Sequence, residues 1–476
     1  MPDDARVEEF REFTEKIREQ HDVPGLSVTV ADGDRILYAE GFGLRNVEKN
    51  LPATPETLYG MASVTKSFTA LAIMILEEEE KLCSADPVVR HLPEFRLTGG
   101  SPAEAVTIHH LMTHTSGMPP TGALRYSMIR SMEGDPAVDE IKRLGRWEQW
   151  TDREPIDTYE DLLDFIADDD QPPLGRSGQQ FSYSNDAYSL LGAIVERVSG
   201  QPFDSFVRER ILEPVGMRSS TMGLDFLEEY SDVTQLYSQS EERGVFAAPK
   251  WQHAPAMLGA GFLRSTVTEM VRYGQMYLSS LSPGSESFVG RQTVTRMVAP
   301  YFPCGRSQYY GYGLVVRPGY HGVTLVEHGG SLKGVSSHFG FIPEKNLTAS
   351  VVANLQGIPA SKIWLGAMNL MLGLPVDTQR SREPEYEASQ EELERFVGSY
   401  ASGEGALIDV LIEDGDLYAF IDDSTHLLRP SGPDTAAMMR RGEESMVRFI
   451  PGPTGEVEAM YTGLRIIRRV SDQPEG

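Results

Sequence analysis

Residues 62–82 read ASVTKSFTALAIMILEEEEKL. From Phe68 to Leu76 the run is apolar on nearly every side, so a helix over 62–82 belongs in the interior. Its end, Glu77 to Glu80, reads as a solvated tip. Ser63 and Lys66 stand three residues apart near its start, on one face. Ser63 falls in the first turn, where backbone N–H groups lack intrahelical partners. A charged lysine among apolar residues is costly, and burial lowers its proton affinity. A neutral amine one turn from a hydroxyl is a base beside a nucleophile. Ser-x-x-Lys occurs often by chance, but the apolar setting of this lysine makes the pair informative.

Working outward, Val7, Phe10, Phe13 and Ile17 recur at helical spacing and predict a helix over 5–21. GLSVTVADGDRILYAEGFG (25–43) predicts two strands about Asp32-Gly33. Strands return from Gly311 in GYGLVVRPG (311–319), VTLVEHGG (323–330) and SSHFGFIPEKNLTASVVANL (336–355), before a helix at about 360–372. Residues 100–300 read mostly helical, with a loop-rich stretch from Met118 to Phe181 that could cover a cleft. The expected fold of residues 1–375 is α/β (α+β): an antiparallel sheet completed by both ends of the segment, flanked by helices, with a helical subdomain. Residues 376–391 are polar and carry Pro384, as a linker would. Residues 392–476 show short strands, as in ALIDVLIEDGDLYAFIDD (406–423), and predict a small antiparallel β-barrel.

Two further stretches carry chemistry. FSYSNDAYSLLG (181–192) places Tyr183 and Asn185 where a loop enters a helix, so both can face one cleft. A nearby ammonium favours a phenolate, which would let Tyr183 share the base role with Lys66. Asn185 offers a donor and an acceptor to a substrate amide, or a simple helix cap. EHGGSLKGVSS (327–337) holds His328, Gly329, Gly330 and Ser331. His328 reads as a metal ligand, a core histidine or one wall of a cleft. Gly330 permits close backbone approach, and the N–H of Ser331 could join that of Ser63 in an oxyanion hole.

In this order, the three motifs resemble those of the penicillin-recognising serine hydrolases, in particular the class C β-lactamase-like (CubicO) group. LMTHTSGM (111–118), ILEPVGM (211–217) and GYGLVV (311–316) resemble the family as well, over roughly residues 8–375. The resemblance implies the β-lactamase/transpeptidase-like fold, and Ser63 as nucleophile with Lys66 and Tyr183 moving its proton. It implies Asn185, His328, Gly330 and Ser331 as substrate and oxyanion contacts, and no metal or cofactor. Many members carry Lys-Thr-Gly where this chain has His328-Gly329-Gly330. The departure removes a hydroxyl and a fixed charge, and points away from a carboxylate-dependent β-lactamase. The resemblance therefore implies a peptidase or amidase tolerant of or selective for D-amino acids. The alternatives are a carboxylesterase or weak β-lactamase of the same fold, or a catalytically silent scaffold. The C-terminal segment is similar to the lipocalin-like domain of D-stereospecific serine peptidases in this group, which implies a homo-oligomer.

The resemblance implies a small peptide, amide or ester as substrate, and bulk properties argue against other partners. The 476 residues carry 43 basic and 70 acidic side chains, a net charge of −27, and this field repels nucleic acid. With nine lysines among the basic residues, the acidic surface hints at a salt-rich cytoplasm. The start MPDDARVEEF lacks the basic and apolar segments of a signal peptide, and no run reaches a membrane span, so a cytoplasmic protein is expected. Cys83 and Cys304 read as two semi-buried free thiols. His110 and His114 share a helical face but lack the glutamate of a zinc protease motif. Trp147, Trp150 and Trp251 could line a pocket or pack, and Tyr309, Tyr310 and Tyr312 read as packing at a strand entry.

Overall fold

The computed structural model describes residues 3–99, 102–143, 145, 147–284, 287–380, 382–421, 424–440 and 442–470. Among them, a nine-stranded sheet is built from both ends of the first 375 residues. Its strands are β1 (Gly25–Asp32), β2 (Arg35–Asn46), β3 (Leu51–Pro52), β4 (Phe302–Gly305), β5 (Gln308–Tyr310), β6 (Val315–Tyr320), β7 (Val323–Leu332), β8 (Val335–Ile342) and β9 (Leu347–Ala353). They lie in the order β3-β2-β1-β9-β8-β7-β6-β5-β4. The N-terminal hairpin joins the rest through β1 and β9, which pair antiparallel from Leu26–Ala353 to Asp32–Leu347.

Both faces of the sheet are covered, so β8 and β9 are buried along their whole length. Helices α1 (Asp4–Gln20) and, much later, Ala360–Leu372 close one face, where Phe10 and Trp364 pack with Leu26, Val28 and Val351. On the other face, α2 (Thr65–Glu78) and the helix Val267–Leu281 pack with Phe339, Phe341 and Val352.

The chain at 62–82 divides. A 3-10 turn spans Ala62–Val64, and α2 ends at Glu78 rather than at Leu82. The glutamates beyond its apolar part are not a free solvated tip. Glu77 accepts from Arg296 and Ser84, Glu78 from Thr293, and Glu79 pairs with Arg210. The stretch 118–181, expected to be loop-rich, contains four helices among its described residues, Ala123–Met132, Pro136–Arg143, Glu148–Thr151 and Tyr159–Ala167. Short helices broken by Gly134 and Gly145, both at positive φ, hide their period from a long window.

The C-terminal part is a closed antiparallel barrel. Its strands are β10 (Gly398–Ala401), β11 (Leu407–Glu413), β12 (Asp416–Ile421), β13 (Ser424–Gly432), β14 (Thr435–Arg440), β15 (Glu443–Pro451), β16 (Val457–Thr462) and β17 (Arg465–Arg469), with β17 returning to β10. Closure leaves no open edge. The polar segment before it is not a free tether. Arg380 donates to Glu327 inside the sheet and pairs with Glu443 on the barrel, so it straps the two together. Glu327 is buried and also accepts from Arg317 and meets His338. Cys83 is exposed and Cys304 buried, so neither thiol is half-buried as expected. Among the described residues no helix is long and apolar enough to cross a membrane.

Candidate active site

Ser63 is the one residue between Thr57 and Leu76 that is not buried. Its turn is pinned from three sides. Met61 N–H donates to Leu263 O (2.8 Å), Ser337 Oγ donates to Met61 O (2.7 Å), and Thr65 Oγ1 donates to Ala62 O (2.6 Å). Ala62 has φ of 46°, a left-handed conformation unusual for a residue with a Cβ, and this bend lifts Ser63 out of the buried run.

Lys66 lies behind Ser63, fully buried. Its Nζ donates to Ala260 O (2.6 Å) and Asn185 Oδ1 (2.9 Å), and stands 3.4 Å from Ser63 Oγ. Burial, and then the positive charge of Arg465, hold its proton affinity well below that of an ordinary lysine, against opposing pulls from Glu404 and Asp186. Lys66 is thereby an amine that holds its proton weakly, within reach of a hydroxyl.

Tyr183 is buried, with its ring centroid 4.7 Å from Lys66 Nζ. Its hydroxyl lies toward Ser63 without a well-formed hydrogen bond. The expected phenolate does not arise. Burial raises the phenol's pKa above the ordinary value, outweighing Ser63 and Arg465, so the side chain keeps its proton. Asn185 opens the helix Asn185–Ser199, capped by Ser184 Oγ accepting from Ala187 N–H. Its amide divides between Lys66 Nζ and Glu404 Oε1 (3.5 Å).

His328, near the end of β7, is buried. Nδ1 lies 2.6 Å from Gly329 O and so carries the proton, leaving Nε2 to accept from Tyr310 OH (3.0 Å). Burial and the neighbouring Lys66 push its pKa down to about 3, so its charge does not vary near neutrality as expected from the sequence. Gly330 has a further reason besides substrate access. A Cβ there would sit 2.4 Å from Met61 O and from Ser337 Oγ, so glycine lets β7 close on the Ser63 turn. Ser331 lines the cleft, and its buried Oγ has no partner.

A cavity of about 690 Å³ joins Ser63, Tyr183, Asn185, His328, Gly330 and Ser331, with Lys66 just behind its wall. Its opposite side belongs to the barrel: Glu404, Tyr461, Leu464 and Arg465. Arg465 pairs with Glu404, and its guanidinium carbon lies 5.0 Å from the Tyr183 ring centroid. Neither residue belongs to a local motif, and sequence reasoning missed both, as it missed the role of Tyr310. Trp147 and Trp150 stack on each other away from the cavity, and Trp251 lies beside Arg264. His110 and His114 diverge. His110 Nδ1 meets the Thr107 N–H at the start of its helix, while His114 Nδ1 accepts from Ser184 N–H beneath Tyr183.

The beta-lactamase family profile matches residues 10–365. A penicillin-binding protein of Bacillus subtilis (strain 168) is 25% identical over 477 aligned residues, 94% of this chain and 97% of the relative. The esterase EstB of Burkholderia gladioli is 37% identical over 216 residues, covering 43% of this chain and 48% of the esterase. The octameric penicillin-binding protein homologue from Pyrococcus abyssi is similar in structure, with a TM-score of 0.70 and 30% identity over 97% of this chain and 100% of that one.

Proposed function

The chain belongs to the beta-lactamase family and is a serine hydrolase; on that premise we propose that it cleaves peptide or amide bonds, including those of D-amino acids, through an acyl-enzyme on Ser63. The observation that carries the reading is the exposure of Ser63 alone in a buried run, 3.4 Å from a Lys66 that holds its proton weakly.

As Ser63 Oγ attacks the carbonyl carbon, its proton passes to Lys66 Nζ, and the carbonyl electron pair moves onto oxygen. The tetrahedral intermediate collapses when the leaving nitrogen takes the proton held on Lys66, directly or relayed through Tyr183, which burial keeps as a phenol, so the C–N bond breaks and Lys66 is free of its proton again. Water then attacks the ester on Ser63 as Lys66 takes its proton, and the second intermediate collapses, releasing the acid, as Lys66 returns that proton to Ser63 Oγ. Asn185 orients the substrate amide. The N–H groups of Ser63 and Ser331 take the oxyanion. A neutral His328 supports a substrate that brings no carboxylate to β7. Arg465 returns one cation to the cleft from the barrel side, partly offset by Glu404. The likeness to an octamer supports a homo-oligomer.

A second reading, a carboxylesterase, is favoured by the likeness to an esterase over 216 residues. A panel of chromogenic D- and L-aminoacyl anilides with free and amidated ends, a short-chain ester and a cephalosporin separates the readings, with Ser63→Ala as control. The expected result is turnover of D-aminoacyl anilides, lost in Ser63→Ala. Turnover of the ester alone would refute the amide reading.

A further inference from the structure

The barrel reaches the catalytic cleft with one hairpin, β16–β17. Its turn is seated by backbone contacts. Tyr183 N–H donates to Leu464 O (2.8 Å), and Ile466 N–H donates to Ser182 Oγ (3.2 Å). Tyr461 OH donates to Cys304 O (2.7 Å). This seating brings Arg465 to the Tyr183 ring that also faces Lys66, at 5.0 Å and 4.7 Å from the centroid. The two cations are therefore no more than about 10 Å apart, with an aromatic ring rather than water as their shared neighbour, so their repulsion is weakly screened. Both Arg465 and Glu404 are mostly covered, at 26% and 21% side-chain exposure.

We propose that Arg465, balanced by Glu404, is a positioning residue that keeps Lys66 unprotonated, so that the base of the hydrolase is set by the seated barrel. The reading rests on Ser63 and Lys66 acting as described above. The other groups around Lys66 leave this pair as the main charges acting on it. Tyr183 and Tyr188 stay phenols through burial. His114 and His328 are held neutral by burial. Ala260 and Asn185 present neutral oxygens. Asp186 is buried beside Asn185, takes a hydrogen bond from Thr121, and has its pKa raised to about 7. Arg465 therefore lowers the proton affinity of Lys66, while Glu404 and, when ionised, Asp186 raise it.

The pair predicts opposite responses. In the full-length protein, the pH profile of kcat/KM is measured with an uncharged chromogenic acetate ester, which offers Arg465 no carboxylate to bind. Arg465→Gln leaves Glu404 unopposed, and the acid limb should move up by about one pH unit, a roughly tenfold loss at a fixed pH on that limb. Glu404→Gln should move it down, and the double variant should return near the parent. Tyr461→Phe removes one seating hydrogen bond without altering either charge, and any shift of the limb should be smaller than in Arg465→Gln. Shifts in the same direction, or none, would overturn the proposal. Should Arg465→Gln fail to fold, the downward shift in Glu404→Gln alone decides. Ester turnover that survives Ser63→Ala would instead refute the serine reading, a failure visible before any limb is compared.

Discussion

Gly330→Ala tests the close fit between β7 and the Ser63 turn. The new Cβ would lie 2.4 Å from Met61 O and from Ser337 Oγ, and 3.0 Å from the Ala62 Cβ. Ordinary carbon–oxygen contact needs about 1 Å more, and little can yield. Met61 O is backbone, in a turn already bent through a positive φ at Ala62, and Ser337 Oγ is the group that holds Met61 O. The strand is fixed by its register with β8, Gly330 opposite Ser337. The 3-10 turn is therefore the part that moves. Overpacking of this kind costs about 1–3 kcal/mol of stability, and a displacement of about 1 Å at Ser63 costs roughly 10²-fold in rate. The expected result is a folded protein with a modestly lower urea midpoint and kcat/KM down about a hundredfold. Gly329→Ala is the control. Its Cβ would come closest to His338 Nδ1, at 3.3 Å, which a small shift relieves, and most of the activity should remain. Full activity in Gly330→Ala, or an equal loss in both variants, would refute the account.

Lys66→Ala should leave the fold intact and nearly abolish labelling of Ser63 by a fluorophosphonate probe; a variant that labels at most of the parent rate would remove Lys66 as the base. His328 is neutral in the fold down to about pH 3, whereas an unfolded histidine binds a proton below about 6.5. Stability should therefore fall as pH drops from 6.5 towards 3, and in His328→Gln the loss between pH 7 and pH 5 should shrink by up to about 2 kcal/mol in urea titrations. Asp186 has the opposite sign. Its carboxyl stays protonated to about pH 7 in the fold but ionises near 3.8 when unfolded, so stability declines between those values, and Asp186→Asn should be more stable than the parent at pH 8 by about 2–4 kcal/mol and little different at pH 3.5. Arg380→Met strands part of the charge of Glu327 and unties the strap, at a cost of about 3–5 kcal/mol. Limited proteolysis should then cut within residues 376–391 faster than in the parent, and an unchanged rate would show that the strap is held by other contacts.

Much of this arrangement is written locally. Ser63 and Lys66 need only one helical turn to meet, and Tyr183 and Asn185 need only the entry to one helix. The strands of the sheet are legible because β1, β8 and β9 are dense in β-branched and aromatic residues between clear turns. What is not legible comes from distant partners. Arg465 is separated from Lys66 by nearly four hundred positions, and nothing near it in sequence distinguishes it from the other arginines of the barrel. Tyr310 looked like packing because its partner, His328, lies two strands along the sheet. The electrostatics of Tyr183 were misjudged for a related reason. The sequence shows a lysine nearby but not the depth of burial, and at this depth loss of solvation outweighs attraction between charges.

The pairing of β1 with β9 also bears on how the molecule comes into being. Leu26 is matched to Ala353, so the centre of the sheet joins segments made at opposite ends of a long stretch of synthesis. The turn bearing Ser63 leaves the ribosome early, but β7, on which it rests, follows more than 250 residues later. The Ser63 turn thus waits without its supporting strand, and the apolar helix behind it waits without its sheet. Such high contact order slows folding and leaves buried surface open to aggregation during synthesis. A nascent chain of this design is a natural client for chaperones, and its hydrolytic activity should appear late and abruptly, once β9 has closed against β1.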